Sequence, residues 1–103
     1  MSALERLAAT IEARRDADPG TSWTAKLLAK GPEKAAGKFG EEAVEAIIEA
    51  VKGDAERLTA EAADVIYHLL VMCAARGVTL AAIEAELARR EGRSGIAEKA
   101  SRD

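Results

Sequence analysis

The sequence predicts an all-α fold, an antiparallel bundle of about five helices in a single domain that spans residues 1–103. Ala, Glu, Lys, Arg and Leu, which are strong helix formers, dominate the composition. Residues that favour strands are sparse, and no segment alternates between apolar and polar positions. Gly and Pro residues separate the segments of helical periodicity, which marks where each helix is expected to begin or end.

The first two helices have recognisable boundaries. Ser2 and Glu5 form the pattern of a capping box ahead of a helical apolar periodicity, and the first helix is expected to end near Arg15. Asp18-Pro19-Gly20 is a turn signal, because proline fixes φ and glycine accepts a positive φ. A short second helix is then expected over about Thr24 to Lys30.

The third and fourth helices are the longest. Pro32 suits the first turn of a helix that runs to Lys52, where Gly53 is the natural stop. Asp54 is the next N-cap, ahead of a helix from Ala55 to Arg76. Because the link between them is so short, these two helices are expected to be antiparallel neighbours.

A fifth helix and a polar tail complete the chain. Thr79 is expected to cap a helix that reaches about Glu91, and the tail from about residue 93 is expected to be less ordered. The chain has 24 alanines but only 21 Leu, Ile, Val and Phe residues combined. So few large apolar side chains give a small core. We therefore expect oligomerisation, most simply as a homodimer, to complete the core.

Composition also excludes several classes of protein. A net charge of −3 and a pI of about 5.3 disfavour nucleic-acid binding, which needs clustered Lys and Arg. No run approaches 18 consecutive apolar residues, so no membrane association is expected. The one cysteine, Cys73, cannot form a disulfide within the chain, which favours the reducing cytoplasm.

One face of the third helix is strongly charged. On a helical wheel, an arc of about 100° contains Lys34, Lys38, Glu41, Glu42, Glu45 and Glu49. Such a face is ordinarily a solvated surface with ion pairs between successive turns. Glu41 and Glu45, however, are like charges at i,i+4, which destabilise a helix by a few tenths of a kcal/mol. A cation bound between the two carboxylates would make this destabilising interaction a stabilising one.

The fourth helix carries a polar stripe within an apolar segment. Glu61, Asp64 and His68 share an arc of about 60° and are flanked by large apolar side chains. Two carboxylates in such a setting are costly unless they are paired or bind a metal. The structural alternative is a pair of salt bridges to arginines such as Arg57 or Arg76, or to another helix.

The two acidic patches are predicted to face each other. Glu45 lies eight residues before Gly53 and Glu61 lies eight residues after it, so antiparallel packing brings them to a similar height. A site made of carboxylate oxygens suits Mg²⁺ or Mn²⁺, and Mg²⁺ usually completes its shell with substrate phosphate. Lys34 and Lys38 lie on the same face and would support a phosphate ligand.

Other catalytic sites fit the sequence less well. A di-iron site in a helix bundle needs a Glu-x-x-His motif from each of two helices. The chain has a single histidine, His68, with Val65 at the glutamate position. No glycine-rich phosphate loop, Ser/His/Asp set or zinc-ligand spacing is present.

The motifs resemble a known superfamily. Glu41-Glu42-x-x-Glu45 followed by Glu61-x-x-Asp64 resembles the acidic motif of the all-α NTP pyrophosphatases, the MazG-like superfamily. The flanking segments are similar to the phosphoribosyl-ATP pyrophosphatase family of histidine biosynthesis. These segments are Ser22 to Leu28, Lys34 to Lys38, Gly40 to Glu42, Glu61 to Asp64 with Tyr67-His68, and Ser94 to Ala100.

The resemblance implies a specific activity, the Mg²⁺-dependent hydrolysis of phosphoribosyl-ATP to phosphoribosyl-AMP and pyrophosphate. It implies metal ligands at Glu42, Glu45, Glu61 and Asp64. Glu41 would then orient the attacking water or support the ligands, and Lys34 and Lys38 would contact the polyphosphate. His68 matches the Tyr-His pair and is expected near the substrate. The family also suggests dimers built on helix bundles.

Two further functions remain open at this point. The same site could act on a free nucleoside triphosphate, as in the house-cleaning enzymes of the superfamily. The chain could also be a non-enzymatic helical dimer whose acidic face binds a basic partner.

Three residues have two interpretations each. Gly37 and Gly40 would weaken a helix by about 1 kcal/mol each relative to Ala. Either the regular helix begins near Glu41, or the glycines let phosphate approach the backbone beside Lys38. Trp23 is expected to anchor the core, with adenine stacking as the alternative.

Overall fold

A computed structural model describes residues 1–92, and this part of the chain is helical with no strand. The helices are α1 (Ala3–Ala13), α2 (Trp23–Lys30), α3 (Pro32–Lys52), α4 (Ala55–Ala75) and α5 (Leu80–Arg90). The predicted all-α class and the five helices are confirmed. The tail from residue 93, with the segment Ser94 to Ala100, lies outside the described residues.

Side-chain caps begin four of the helices. Ser2 and Glu5 form the predicted capping box, in which each side chain accepts a hydrogen bond from the backbone N–H of the other residue. The side chains of Ser22, Asp54 and Thr79 likewise accept from the first turns of α2, α4 and α5. Each cap satisfies a donor that the helix itself cannot pair.

Both ends of α3 match the prediction, and the other helices differ at one end by one or two residues. Gly53 ends α3 with φ 80°, a left-handed conformation that favours glycine. The helix α1 ends at Ala13 instead of near Arg15, and α2 begins at Trp23 because Ser22 is its cap. The helices α4 and α5 each end one residue earlier than expected.

The helices α3 and α4 form the most extensive contact between elements. The tight turn at Gly53 and Asp54 makes them antiparallel. The core lies where α4 meets α1, α2 and the beginning of α3. Its buried members are Ile11, Leu27, Ala35, Leu70, Val71 and Ala74.

The second half of α3 leaves a large apolar surface uncovered. The helix buries only Ala35, while Val44, Ile47, Ile48 and Val51 are exposed. Val51 reaches 83% exposure. A single copy of the chain therefore leaves these side chains uncovered, and the oligomerisation expected from the small core stays a prediction.

The helix α4 is, within residues 1–92, the one helix long and apolar enough to cross a membrane. The central helix of a bundle meets the same criterion. Because α4 provides the buried residues His68, Leu70, Val71 and Ala74, we interpret it as a core helix.

Candidate active site

Three of the predicted acidic residues form a cluster between α3 and α4. Glu42, Glu45 and Glu61 each offer a carboxylate oxygen, and these oxygens lie within 4.8 Å of one another. Glu42 and Glu61 are half-buried and Glu45 is exposed. The turn at Gly53 places the two helices in the register that the sequence predicted.

Burial and mutual repulsion act on this cluster. Desolvation raises the pKa of Glu42 and of Glu61 above the ordinary carboxylate value, and the neighbouring Glu45 charge raises both further. The charge of Asp64 acts in the same direction on both. The protein thus holds several carboxylates together against their own repulsion, which is the electrostatic condition that a bound cation relieves.

Unpaired oxygens also fit a metal ligand set. Glu61 Oε2 is buried and has no hydrogen-bond partner in residues 1–92, and neither has Glu49 Oε1. Buried carboxylate oxygens are normally paired, so an unpaired one needs a ligand outside the chain or an unusual compensation. An all-carboxylate set of this kind suits Mg²⁺ or Mn²⁺.

No arginine in the described part of the chain, residues 1–92, forms an ion pair with Glu42, Glu45 or Glu61, contrary to the alternative considered from the sequence. Arg57 Nη1 lies 4.0 Å from Glu49 Oε2, and its Nε lies 3.6 Å from Asp54 Oδ2. Within the described residues, neither Arg57 nor Arg76 forms an ion pair with the acidic residues predicted on α4.

Asp64 lies at the edge of the site. Its side chain is exposed, and it is not among the three residues whose oxygens lie mutually within 4.8 Å. It is nevertheless close enough for its charge to raise the pKa of Glu42 and of Glu61. Its role as a fourth metal ligand stays a prediction.

Two lysines lie on the α3 side of the cluster. Lys38 Nζ is 3.0 Å from Glu41 Oε2, and this hydrogen-bonded ion pair raises the pKa of Lys38 and lowers the pKa of Glu41. The charge of Lys34 lowers the pKa of Glu41 further. Lys34 is exposed and forms no ion pair within residues 1–92. It is therefore available to an anionic ligand.

His68 lies close to this charged region and is 7% exposed. Desolvation lowers its pKa, and the charge of Lys38 lowers it further against the opposing charges of Asp64 and Glu41. The imidazole is therefore neutral at pH 7. Its Nδ1 is buried without a hydrogen-bond partner among the described residues.

A hydrogen bond that the sequence did not predict joins α2 to α4. The hydroxyl groups of Thr24 and Tyr67 lie 2.5 Å apart. The Tyr67 ring packs edge-on against His68, with ring centroids 4.9 Å apart. The only signal for this contact was a tyrosine in an apolar helix, because a buried phenol hydroxyl usually finds a partner.

The prediction that Trp23 anchors the core is wrong, because its side chain is 51% exposed.

The interpretation that α3 begins near Glu41 is also wrong, since the helix includes Gly37 and Gly40. An added Cβ at either glycine would meet no atom within 4 Å. Packing within residues 1–92 therefore requires neither glycine.

A separate apolar cavity of about 430 Å³ lies between α1, α4 and the beginning of α5. Its lining includes none of the residues that the sequence predicted for the site. This cavity is therefore separate from the carboxylate cluster at the α3–α4 interface.

Comparison with known proteins identifies the family. A family model described as phosphoribosyl-ATP pyrophosphohydrolase matches residues 4–91. The chain belongs to the phosphoribosyl-ATP pyrophosphohydrolase family. This match confirms the resemblance that the acidic motif and its flanking segments indicated.

Similar members of this pyrophosphohydrolase family cover almost the whole chain. A protein of Cereibacter sphaeroides named phosphoribosyl-ATP pyrophosphatase is 78% identical over 102 residues, which are 99% of each chain. Proteins with the same name from Jannaschia sp. and Paracoccus denitrificans are 72% and 77% identical. They align with 99% and 96% of this chain, and with 100% and 92% of their own lengths.

Proposed function

We propose that this chain hydrolyses the α–β phosphoanhydride of phosphoribosyl-ATP and releases phosphoribosyl-AMP and pyrophosphate, the second step of histidine biosynthesis. The carboxylate cluster of Glu42, Glu45 and Glu61 is the observation that carries the proposal. The names of relatives that are 72–78% identical over nearly the whole chain support this substrate.

The proposed metal ligands are Glu42, Glu45, Glu61 and Asp64. Their oxygens match the preference of Mg²⁺, and Mn²⁺ is expected to substitute because it takes the same ligands. When bound, Mg²⁺ would supply positive charge against the phosphoryl oxygens and make a water molecule more acidic. The cluster would also lose the mutual repulsion that raises the pKa of Glu42 and of Glu61.

The other predicted site residues would bind the substrate and accept the proton of the attacking water. Lys34 and Lys38 would contact the polyphosphate as point charges, which stabilise negative charge on the leaving pyrophosphate. Glu41 is an exposed carboxylate on the same helical face as the cluster, and it would orient the attacking water and accept its proton. His68 is neutral and would position the substrate through a hydrogen bond.

The active species is proposed to be a cytoplasmic homodimer. Val44, Ile47, Ile48 and Val51 are exposed on α3, and a second copy of the chain would cover them. Sedimentation of the wild-type protein should give twice the mass of one chain. The variant Ile47→Lys should shift the equilibrium towards a single chain.

Pyrophosphate release from phosphoribosyl-ATP, with and without Mg²⁺, tests the function directly. We expect Mg²⁺-dependent release, and a much lower kcat/KM with dUTP and dCTP. A preference for dUTP or dCTP would instead support a house-cleaning pyrophosphatase. No turnover of any nucleotide, together with no Mg²⁺ shift in a thermal melt, would support a non-enzymatic acidic binding surface.

A further inference from the structure

A polar cleft of about 470 Å³ lies where the end of α1, the α1–α2 loop and the beginning of α2 meet. The proposed catalytic mechanism does not use it. The residues that line this cleft are Arg14, Ala17, Thr21, Ser22, Trp23 and Thr24.

Trp23 gives the cleft an aromatic surface. It is the only tryptophan in the chain and is 51% exposed, although an indole is among the side chains most strongly driven to burial. Lys26 Nζ lies over its ring, 5.9 Å from the centroid, in a cation–π contact that places a positive charge at one face of the indole. Exposed aromatic rings next to cationic side chains are typical of surfaces that stack on nucleobases.

Arg14 gives the cleft a free cation. Within residues 1–92, its guanidinium forms neither an ion pair nor a side-chain hydrogen bond, and the residue is exposed. The adjacent Arg15 is different, because it pairs with Glu12 and donates to the Ala74 carbonyl. Arg14 is therefore free to bind a phosphate, for which the planar guanidinium is well suited.

A continuous path of contacts connects the cleft to the candidate active site. Thr24 lines the cleft and is hydrogen-bonded to Tyr67, whose ring packs against His68. His68 in turn lies within reach of the charges of Asp64 and Glu41. Thr24, Tyr67 and His68 therefore link the cleft to the charged region beside the carboxylate cluster.

We propose that this cleft is the specificity subsite for the nucleoside end of the substrate. Trp23 stacks on the adenine, and Arg14 binds the phosphate of the phosphoribosyl group, which ATP lacks. The inference rests on the proposed function, because it needs a substrate whose adenine carries a triphosphate-bearing ribose on one side and a monophosphate-bearing ribose on the other.

Tryptophan fluorescence tests the stacking without catalysis, because all of the tryptophan signal comes from Trp23. The wild-type protein in EDTA is titrated with AMP and, separately, with pyrophosphate. We expect saturable quenching by AMP and none by pyrophosphate. Equal quenching by both, or none by either, would overturn the assignment of Trp23.

Steady-state kinetics test specificity with Mg²⁺ and phosphoribosyl-ATP. We expect Trp23→Ala to raise KM by roughly tenfold with kcat changed less than twofold, and Trp23→Phe to restore most of the affinity. Arg14→Gln should also raise KM by roughly tenfold, whereas the matched exposed control Arg76→Gln should not. A second comparison measures inhibition constants. Arg14→Gln should raise the inhibition constant of phosphoribosyl-AMP and leave that of AMP unchanged.

The results separate this inference from the proposed function. Wild-type turnover with unchanged KM in the Trp23 and Arg14 variants would overturn the subsite and leave the function intact. Quenching by AMP without turnover of phosphoribosyl-ATP would contradict the proposed function and still support an adenine site at Trp23. Circular dichroism of each variant shows whether the helices are retained.

Discussion

Lys38 Nζ lies 3.0 Å from Glu41 Oε2, one turn away along α3 and next to the carboxylate cluster. The ion pair raises the pKa of the lysine and lowers the pKa of the glutamate, so both stay charged at neutral pH. A polyphosphate that binds Lys38 must compete with Glu41 for the ammonium. Substrate binding would therefore release the carboxylate to act as a base.

The first prediction concerns Lys38. Lys38→Gln should lower kcat/KM by at least about tenfold, because a hydrogen bond to a charged group contributes roughly 1.5–3 kcal/mol. Lys38→Arg should retain more activity because it keeps the charge. The control Lys52→Gln, at the far end of α3, should behave as wild type in the same pyrophosphate-release assay. Equal kinetics for the Lys38 and Lys52 variants would contradict the proposed role.

The second prediction concerns stability without metal. The folded-state pKa of Glu61 is raised above its ordinary value. Stability in EDTA should therefore fall as the pH rises from the ordinary glutamate pKa through this raised value. Glu61→Gln should remove this loss, so its melting temperature in EDTA at pH 7.5 should exceed that of wild type.

Thermal melts at two pH values and with Mg²⁺ complete this test. The difference between Glu61→Gln and wild type should shrink at a pH below the ordinary glutamate pKa. Added Mg²⁺ should raise the melting temperature of wild type more than that of the variant. A variant less stable than wild type in EDTA at pH 7.5 would show that the cluster is not under repulsion.

The third prediction concerns Asp64, which lies at the edge of the cluster. Asp64→Asn should lower kcat by at least about 100-fold, equivalent to about 2.7 kcal/mol, if it completes the metal site. Glu56→Gln, also on α4 but outside the cluster, should retain activity. Full activity in Asp64→Asn would exclude Asp64 as a required ligand. The circular dichroism of both variants should keep the helical signal of the wild type, which shows that they fold.

The fourth prediction compares two glycines of α3. Gly37→Ala and Gly40→Ala should each stabilise the helix by up to about 1 kcal/mol, because an added Cβ meets no neighbour. Gly37 lies about 80° around the helix from Glu45, and Gly40 about 140°. Only Gly37→Ala is therefore expected to lower kcat/KM. Unaltered kinetics in both would show that phosphate does not approach this backbone.

The fifth prediction concerns the turn between α3 and α4. Asp54 Oδ1 accepts a 2.9 Å hydrogen bond from the backbone N–H of Arg57. Asp54→Ala should destabilise the protein by about 1 kcal/mol in a denaturant titration, and Asp54→Asn should be close to wild type. Asp16→Ala, in a position without a capping hydrogen bond, is the control and should change stability little.

The sequence predicted the helices well because their boundaries are set by local interactions. Ser2, Gly53, Asp54 and Thr79 act within one helical turn of their own positions. It was also predictable that the two acidic patches face each other, because a tight turn and the helical period determine which residues meet.

The features that the sequence did not predict depend on packing between distant segments. The contact between Thr24 and Tyr67 joins residues 43 positions apart, and no local pattern encodes it. The exposure of Trp23 likewise depends on which helices reach the beginning of α2. Asp64 shares a helical face with Glu61, yet small rotations of α4 decide how near its carboxylate lies to the cluster.

The short connection at Gly53 and Asp54 has an evolutionary consequence. Because each residue added to a helix rotates the remainder of that helix by about 100°, an insertion or deletion inside α3 or α4 between Glu45 and Glu61 would turn one half of the ligand set away from the other. Changes of chain length should therefore be selected against in that interval. The α1–α2 loop lies outside this interval, and its length is constrained instead through the cleft that it lines.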